Sequence, residues 1–281
     1  MTASVRRFEG LDRCRVMGVV NVTQESFSPG GTHGQPKMAI QDGIDMIASG
    51  ADIIDIGGES IMPGGEHVDA AEELRRVVPV VAELASSGVK ISVDTTRAIV
   101  AAESLDAGAT LINDVSFATQ EDLLSVVAER GAPYVLVHNG VSRETPGSRS
   151  SRQDRVQRVA SELSERIEFI KSRGIAEDQI IIDPGIGFGK GYDEDLLLLA
   201  NLDQLSAIGR PLLIGASRKD FIGQLLAEPA DVPQPDDRRD AATQAVTALV
   251  AAAGAWAVRV HNVPPAVDAV LLARAWARAR I

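Results

Sequence analysis

The chain has one cysteine in 281 residues, no excess of basic charge, and no apolar run approaching the ~20 residues that a membrane span requires. Each scarcity removes a class of protein. Cys14 has no second thiol with which to close an internal disulfide, in keeping with a reducing compartment. It reads as a small strand residue rather than a nucleophile. The first dozen residues carry Arg6, Arg7, Glu9 and Asp12 and lack the apolar core of a secretory signal, so a cytoplasmic location is expected, with no membrane association. Lys and Arg number 28 against 39 Asp and Glu, a net charge of −11. That balance argues against nucleic acid as a partner, because phosphate backbones are met by basic surface. A mean hydropathy of +0.04 and 45% hydrophobic residues are ordinary for a soluble globular chain.

What the chain does have is a repeated punctuation. Gly50, Gly88, Gly108, Gly131, Gly174, Gly209 and Gly254 each close a helix-like stretch, and an apolar run begins a few residues later. Those runs span 52–58, 90–94, 111–114, 133–138, 179–183, 211–217 and 256–261, and one at 15–21 opens the series. Glycine tolerates the left-handed backbone that ends a helix, so the pattern marks one αβ unit repeated along the chain. The runs are continuously apolar, as at Ile53-Ile54 and Ile180-Ile181-Ile182, which suits strands covered on both faces. Helical periodicity fills the gaps, at 36–49, 70–86, 156–173, 193–207, 241–253 and 264–280. Eight strands with intervening helices predict an α/β chain folded as a single-domain (β/α)8 TIM barrel over residues 14–281, with residues 1–13 an N-terminal extension.

Barrel active sites lie at the C-terminal mouth, and here the strand ends are polar: Asn21, Asp55, Glu59, Asp94, Asn113, His138, Asp183, Ser217, Lys219, Arg259 and His261. Lys190, Arg218, Lys219, Arg259 and His261 all fall at or just after strand ends, and cations gathered at one mouth of an acidic protein suit a small anionic ligand. Long connections at 23–36, 60–69 and 139–152 follow strands 1, 2 and 5, where irregular loops act as lids or binding loops; the proline-rich stretch 228–237 reads as a surface excursion. The sharpest local motif is Asp183-Pro184-Gly185-Ile186-Gly187-Phe188-Gly189-Lys190. Its glycines let backbone amides approach a ligand, although a plain βα turn has the same composition. It is not a P-loop, and no GxGxxG follows strand 1. Asp94 and Asn113 are also residue types that cap a following helix.

Taken in order, the motifs resemble those of the dihydropteroate synthases. The likeness rests on Met17-Gly18-Val19-Val20-Asn21-Val22-Thr23 with Ser26-Phe27-Ser28, on Asp55-Ile56-Gly57-Gly58-Glu59-Ser60 with Pro63-Gly64, and on Ser92-Val93-Asp94-Thr95. It continues through Asn113-Asp114-Val115-Ser116, the Asp183 motif, Ser217-Arg218-Lys219 and Arg259-Val260-His261. The resemblance implies a cytoplasmic, usually dimeric transferase. It joins 7,8-dihydropterin-6-ylmethyl diphosphate to 4-aminobenzoate and gives 7,8-dihydropteroate and diphosphate. It further implies that Asp94, Asn113, Asp183 and Lys219 hold the pterin, with Asp94, Asp183 and Lys219 catalytic. Asn21, Arg259 and His261 would hold the diphosphate together with Mg2+, Asn21 as the metal ligand, and Ser217 and Arg218 would complete the substrate site.

The chain departs from the family pattern on the acceptor side. Gln24 and Glu25 replace the usual Pro-Asp, Pro29 a usual Asp, and Ile61 and Met62 a usual Ser or Thr followed by Arg. Phe117 stands for a common Gly, Asn139 for Met, Asp220 for Ser or Arg, and Asn262 for Asp. An added carboxylate at Asp220 should repel a benzoate, so acceptor recognition and the response to sulfonamide-like mimics are expected to be altered. A paralogue that binds pterin but condenses weakly, or that uses a different acceptor, is the alternative. A pterin-dependent methyltransferase is a third reading, but it has no use for the diphosphate set Arg259 and His261.

Overall fold

In the computed structural model, which describes residues 11–23, 35–59, 67–140, 152–227 and 236–279, strands and helices alternate from one end to the other. The order is β1 (Arg15–Asn21), α1 (Gln35–Ala48), β2 (Ile53–Gly57), α2 (Ala70–Ala85), β3 (Lys90–Asp94), α3 (Ala98–Asp106), β4 (Leu111–Asp114), α4 (Glu121–Arg130) and β5 (Tyr134–Val137). It continues as α5 (Arg152–Ser172), β6 (Ile180–Asp183), α6 (Tyr192–Ala200), α7 (Leu202–Ser206), β7 (Leu213–Ile214), α8 (Asp220–Leu226), α9 (Asp236–Ala252), β8 (Ala257–Val260) and α10 (Val263–Ala279). All seven punctuating glycines have positive φ.

The strands form one sheet in the order β6-β5-β4-β3-β2-β1-β8-β7, and the pairs between named strands are parallel. Its two edges meet through a parallel bridge between Ile182 and Leu212, where the Ile182 N–H donates to the Pro211 carbonyl at 2.9 Å. The expected (β/α)8 barrel is therefore the observed one.

Three elements differ from expectation. The run at 211–217 yields only the two residues of β7, because Pro211 has no N–H to donate and Gly215 to Ser217 leave the ladder. The helix expected over 193–207 breaks at Asn201, whose side-chain amide donates to the Leu197 carbonyl at 2.8 Å and so competes with the helix ladder. The short helix α8 sits in a stretch with too little periodicity to announce it.

Two apolar layers hold the barrel. The larger lies between strands and helices and includes Ile54, Ile56, Ile112, Leu136 and Ile182. A separate cluster of Met17, Ile53, Leu111, Val135, Val137, Ile181, Leu213 and Ala257 draws on alternate residues of the strands and fills the interior. Full burial of a side chain of this size contributes about 1.5–3 kcal/mol. The same alternation, continued two residues towards the strand ends, aims Asp55, Asn113, Asp183 and Arg259 inwards above that floor. It aims His138 outwards.

Candidate active site

Strand register places the first part of the site. Asn21 is level with Gly57, Gly57 with Asp94, and Asp94 with Asn113, so four adjacent strands deliver one rim. Gly57 lies in van der Waals reach of both neighbours: a Cβ there would stand 3.6 Å from the Asp94 Cβ and 3.9 Å from the Asn21 Oδ1.

Arg259, from β8, reaches across this rim. Its Nε donates to Asp55 Oδ2 at 2.6 Å and its second terminal nitrogen to Asp94 Oδ2 at 2.9 Å. Asn113 Nδ2 donates to the same Asp55 oxygen at 3.2 Å. Burial pushes the Asp94 carboxyl up to about 7; Arg259 pulls it down, but Asp55, which shares that guanidinium, pushes it up again.

The turn after β6 supplies the second part. Asp183 Oδ1 accepts from the Gly185 N–H at 2.7 Å, and burial pushes the carboxyl up to about 6 against the pull of Lys219, Lys190 and Arg259. Gly185 has φ +70, and a Cβ there would lie 1.8 Å from the His138 carbonyl oxygen, so only glycine fits. Lys190 donates to the carbonyls of His138, Gly185 and Phe188 at 2.9–3.2 Å. It is therefore a clamp on the turn rather than an open cation. Lys219 lies along Gly187 with its Nζ 4.3 Å from the centre of the Phe188 ring, and burial lowers its pKa. Asp195, which the sequence did not single out, holds the Gly187 N–H at 2.8 Å and fixes the surface on which Lys219 rests.

Ser217 and His261 meet at 2.9 Å between Oγ and Nδ1. Burial, with Arg259 and Arg218 nearby, lowers His261 to about 4, so it is neutral at pH 7. Arg218, in a left-handed conformation at φ +58, is turned to α9, where it forms a two-point pair with Asp240 at 2.7 and 2.9 Å. Glu59 is held by Arg97 and by His67 Nδ1 at 2.6 Å.

His138 faces α5: its Nε2 is 2.7 Å from Glu162 Oε2, and burial lowers it to about 4. The Phe117 ring packs edge-on against His138 at 4.9 Å and under the Arg166 guanidinium, so it too sits on the outer side. Asn139 ties the β4 and β5 loops by donating to the Val115 carbonyl at 2.8 Å. Gln24 to Pro29, Ile61 and Met62, with most of the long loops after β1, β2 and β5, lie outside the described residues.

The site therefore combines three carboxylates, two amides, a lysine and an arginine over an apolar floor, with Ser217 and His261 beside them. The family described as pterin binding enzyme matches residues 17–261. The dihydropteroate synthase of Mycobacterium leprae (strain TN) is 43% identical over 267 residues, 94% of either chain. The chain belongs to the dihydropteroate synthase family. Two solved dihydropteroate synthases from Xanthomonas albilineans superpose on it. One is in complex with 7,8-dihydropteroate, at a TM-score of 0.85 and 39% identity, covering 97% of this chain and 96% of that one. The other holds 4-aminobenzoic acid, at a TM-score of 0.86 and 40% identity, covering 96% of both. Asn21, Asp94, Asn113, Asp183, Ser217, Lys219, Arg259 and His261 lie at one barrel mouth, and Arg218 is turned to α9. Among the described residues no helix is long and apolar enough to cross a membrane.

Proposed function

We infer that the barrel mouth condenses 7,8-dihydropterin-6-ylmethyl diphosphate with 4-aminobenzoate to 7,8-dihydropteroate and diphosphate. The observation that carries this reading is the convergence of Asp94, Asn113, Asp183, Lys219 and Arg259 at one mouth. Asp183 and Asp94 accept from ring N–H groups, and Asn113 offers an amide to the same edge. Lys219 lies over the turn beside Asp183 and supplies a donor to the ring. The bond from the methylene carbon to the diphosphate oxygen breaks with its electron pair on the diphosphate, and the electron-rich ring stabilises the cation-like carbon. The amine lone pair then forms the C–N bond, and the excess proton passes to solvent. Arg259 and His261 stabilise the departing charge, His261 as a neutral hydrogen-bonding ring beside Ser217.

Asn21 would hold a Mg2+ brought to the site by the diphosphate. Among the described residues no three His, Cys, Asp or Glu side chains form a metal cage, but one amide oxygen at Asn21 suffices where phosphates and water provide the remaining ligands. When bound, it neutralises charge on the diphosphate. Incubation of the purified protein with both substrates is expected to yield dihydropteroate and diphosphate in equal amounts. Uptake of the pterin diphosphate without diphosphate release would establish the binding-only paralogue instead.

Pterin recognition draws on the ionised forms of Asp94 and Asp183, whose values of about 7 and about 6 lie above that of a free carboxyl. Affinity for the pterin diphosphate is therefore expected to fall from about pH 7 to pH 5, by up to about tenfold per unit for each group below its pKa. Titration calorimetry across this range checks the slope. Asp183→Asn should flatten its lower part, and a slope unchanged by that substitution would remove Asp183 from recognition.

Asp220 opens α8 directly after Lys219, with its side chain 78% exposed and 3.9 Å from Arg239. Asp220→Ser is expected to lower the KM for 4-aminobenzoate by roughly fivefold or less, because a solvated charge acts weakly. An unchanged KM would place the acceptor elsewhere. The homodimer is proposed through α9 and α10, where Leu249, Leu272 and Trp276 are more than half exposed. Light scattering is expected to give a dimer for the wild type and a monomer for Trp276→Glu; a dimer in both would move the interface.

A further inference from the structure

We infer that Asp55 is the positioning residue for the pterin half of the site: a buried carboxylate whose Oδ2 fixes the side chains that hold the ring. This rests on the functional reading above. Asp55 is fully buried on β2, one inward position below the rim residue Gly57. A single oxygen, Oδ2, accepts from both Arg259 Nε and Asn113 Nδ2. Two groups, one from β4 and one from β8, are thereby held to one point.

The first consequence is the orientation of Asn113. Its N–H2 end is committed to Asp55, and its Oδ1 is buried with no partner among the described residues. An isolated amide can turn over, but a turned amide here would face oxygen with oxygen in a buried place and lose the donor. Asp55 therefore presents Asn113 as an acceptor and selects a ring edge that brings an N–H to it. Rings with an acceptor at that point are rejected, because they leave the Asn113 oxygen unsatisfied.

The second consequence concerns Arg259. Without ligand its fork is shared between Asp55 and Asp94. A pterin that takes Asp94 Oδ2 competes with the arginine already there. Because Nε stays on Asp55, one terminal nitrogen is released towards the diphosphate without the guanidinium losing its ion pair. If Asp55 were absent, Arg259 would hold Asp94 alone and compete with the ring for it.

Asp55→Asn keeps the shape and removes the charge. Calorimetry without acceptor is expected to show affinity for the pterin diphosphate reduced about tenfold or more, while the KM for 4-aminobenzoate stays within about twofold. A residue acting through Asn113 is non-additive with it, so adding Asn113→Ala to Asp55→Asn should weaken binding by no more than about threefold. Wild-type affinity in folded Asp55→Asn, or full additivity in the double variant, would overturn the proposal. Should Asp55→Asn fail to fold, NMR of the wild type decides. The Asn113 side-chain protons should exchange slowly with solvent both before and after pterin diphosphate binds, and fast exchange in either state overturns the proposal. A wild type that takes up no pterin diphosphate defeats the functional reading, a result distinct from either.

Discussion

Arg259→Met is expected to lower the unfolding free energy by about 3–5 kcal/mol and to abolish condensation. The reason is the company Arg259 keeps. Asp55 is fully buried and Asp94 nearly so, and both draw on the one guanidinium at 2.6 and 2.9 Å. Methionine fills much of the same space but leaves two largely buried carboxylates near each other without a counter-charge. Because burial already raises Asp94 to about 7, protonation is the cheapest relief. The loss of stability should therefore shrink as the pH falls from about 8 to about 5.5, since a protonated Asp94 needs no counter-charge. Urea unfolding of wild type and variant at both pH values measures this. A variant within about 1 kcal/mol of the wild type at pH 8 would mean that the pair is solvated and that the mouth is more open than described.

Asp183→Ala is expected to reduce kcat/KM by roughly a hundred- to ten-thousandfold, the range for losing two charge-assisted hydrogen bonds. Alanine also frees the Gly185 N–H, so the turn that carries Lys190 and supports Lys219 loosens with it. Asp183→Asn separates the two effects. Its side-chain oxygen still accepts from Gly185, so the thermal midpoint should stay near the wild type, while the position that must accept a ring N–H now carries a donor. Activity in Asp183→Asn within about tenfold of the wild type would show that the turn, and not ring recognition, is what Asp183 supplies.

The barrel was legible because its signals are local and repeated. A glycine after each helix and an apolar run after each glycine fix the αβ unit, and the polar ends of those runs mark the mouth. Asn21, Asp94, Asn113, Asp183 and Arg259 were readable on that basis. His138 belongs to the opposite parity and faces Glu162, which alternation from Val135 and Val137 would have revealed. What spacing does not encode is pairing across the barrel. Asp55 stands 204 residues from Arg259, and nothing local announces that one oxygen serves both Arg259 and Asn113. By their place after strand ends Arg218 and Lys190 read as cations of the mouth, yet Asp240 captures the first and three carbonyls the second. Charge alone does not say which cation is already satisfied. The split at Asn201 turns on a side-chain hydrogen bond that competes with the backbone, an effect a periodicity argument passes over.

A crystal structure of the protein with 7,8-dihydropterin-6-ylmethyl diphosphate tests the central claim most directly. The bicyclic ring is predicted to lie against Asp183, Asn113 and Lys219, the diphosphate beside Asn21 and His261, and the Arg259 terminal nitrogen to have left Asp94 for the diphosphate. A ring bound outside the mouth, or a bound ligand with the Arg259 to Asp94 contact intact and the diphosphate turned away from both, would contradict it.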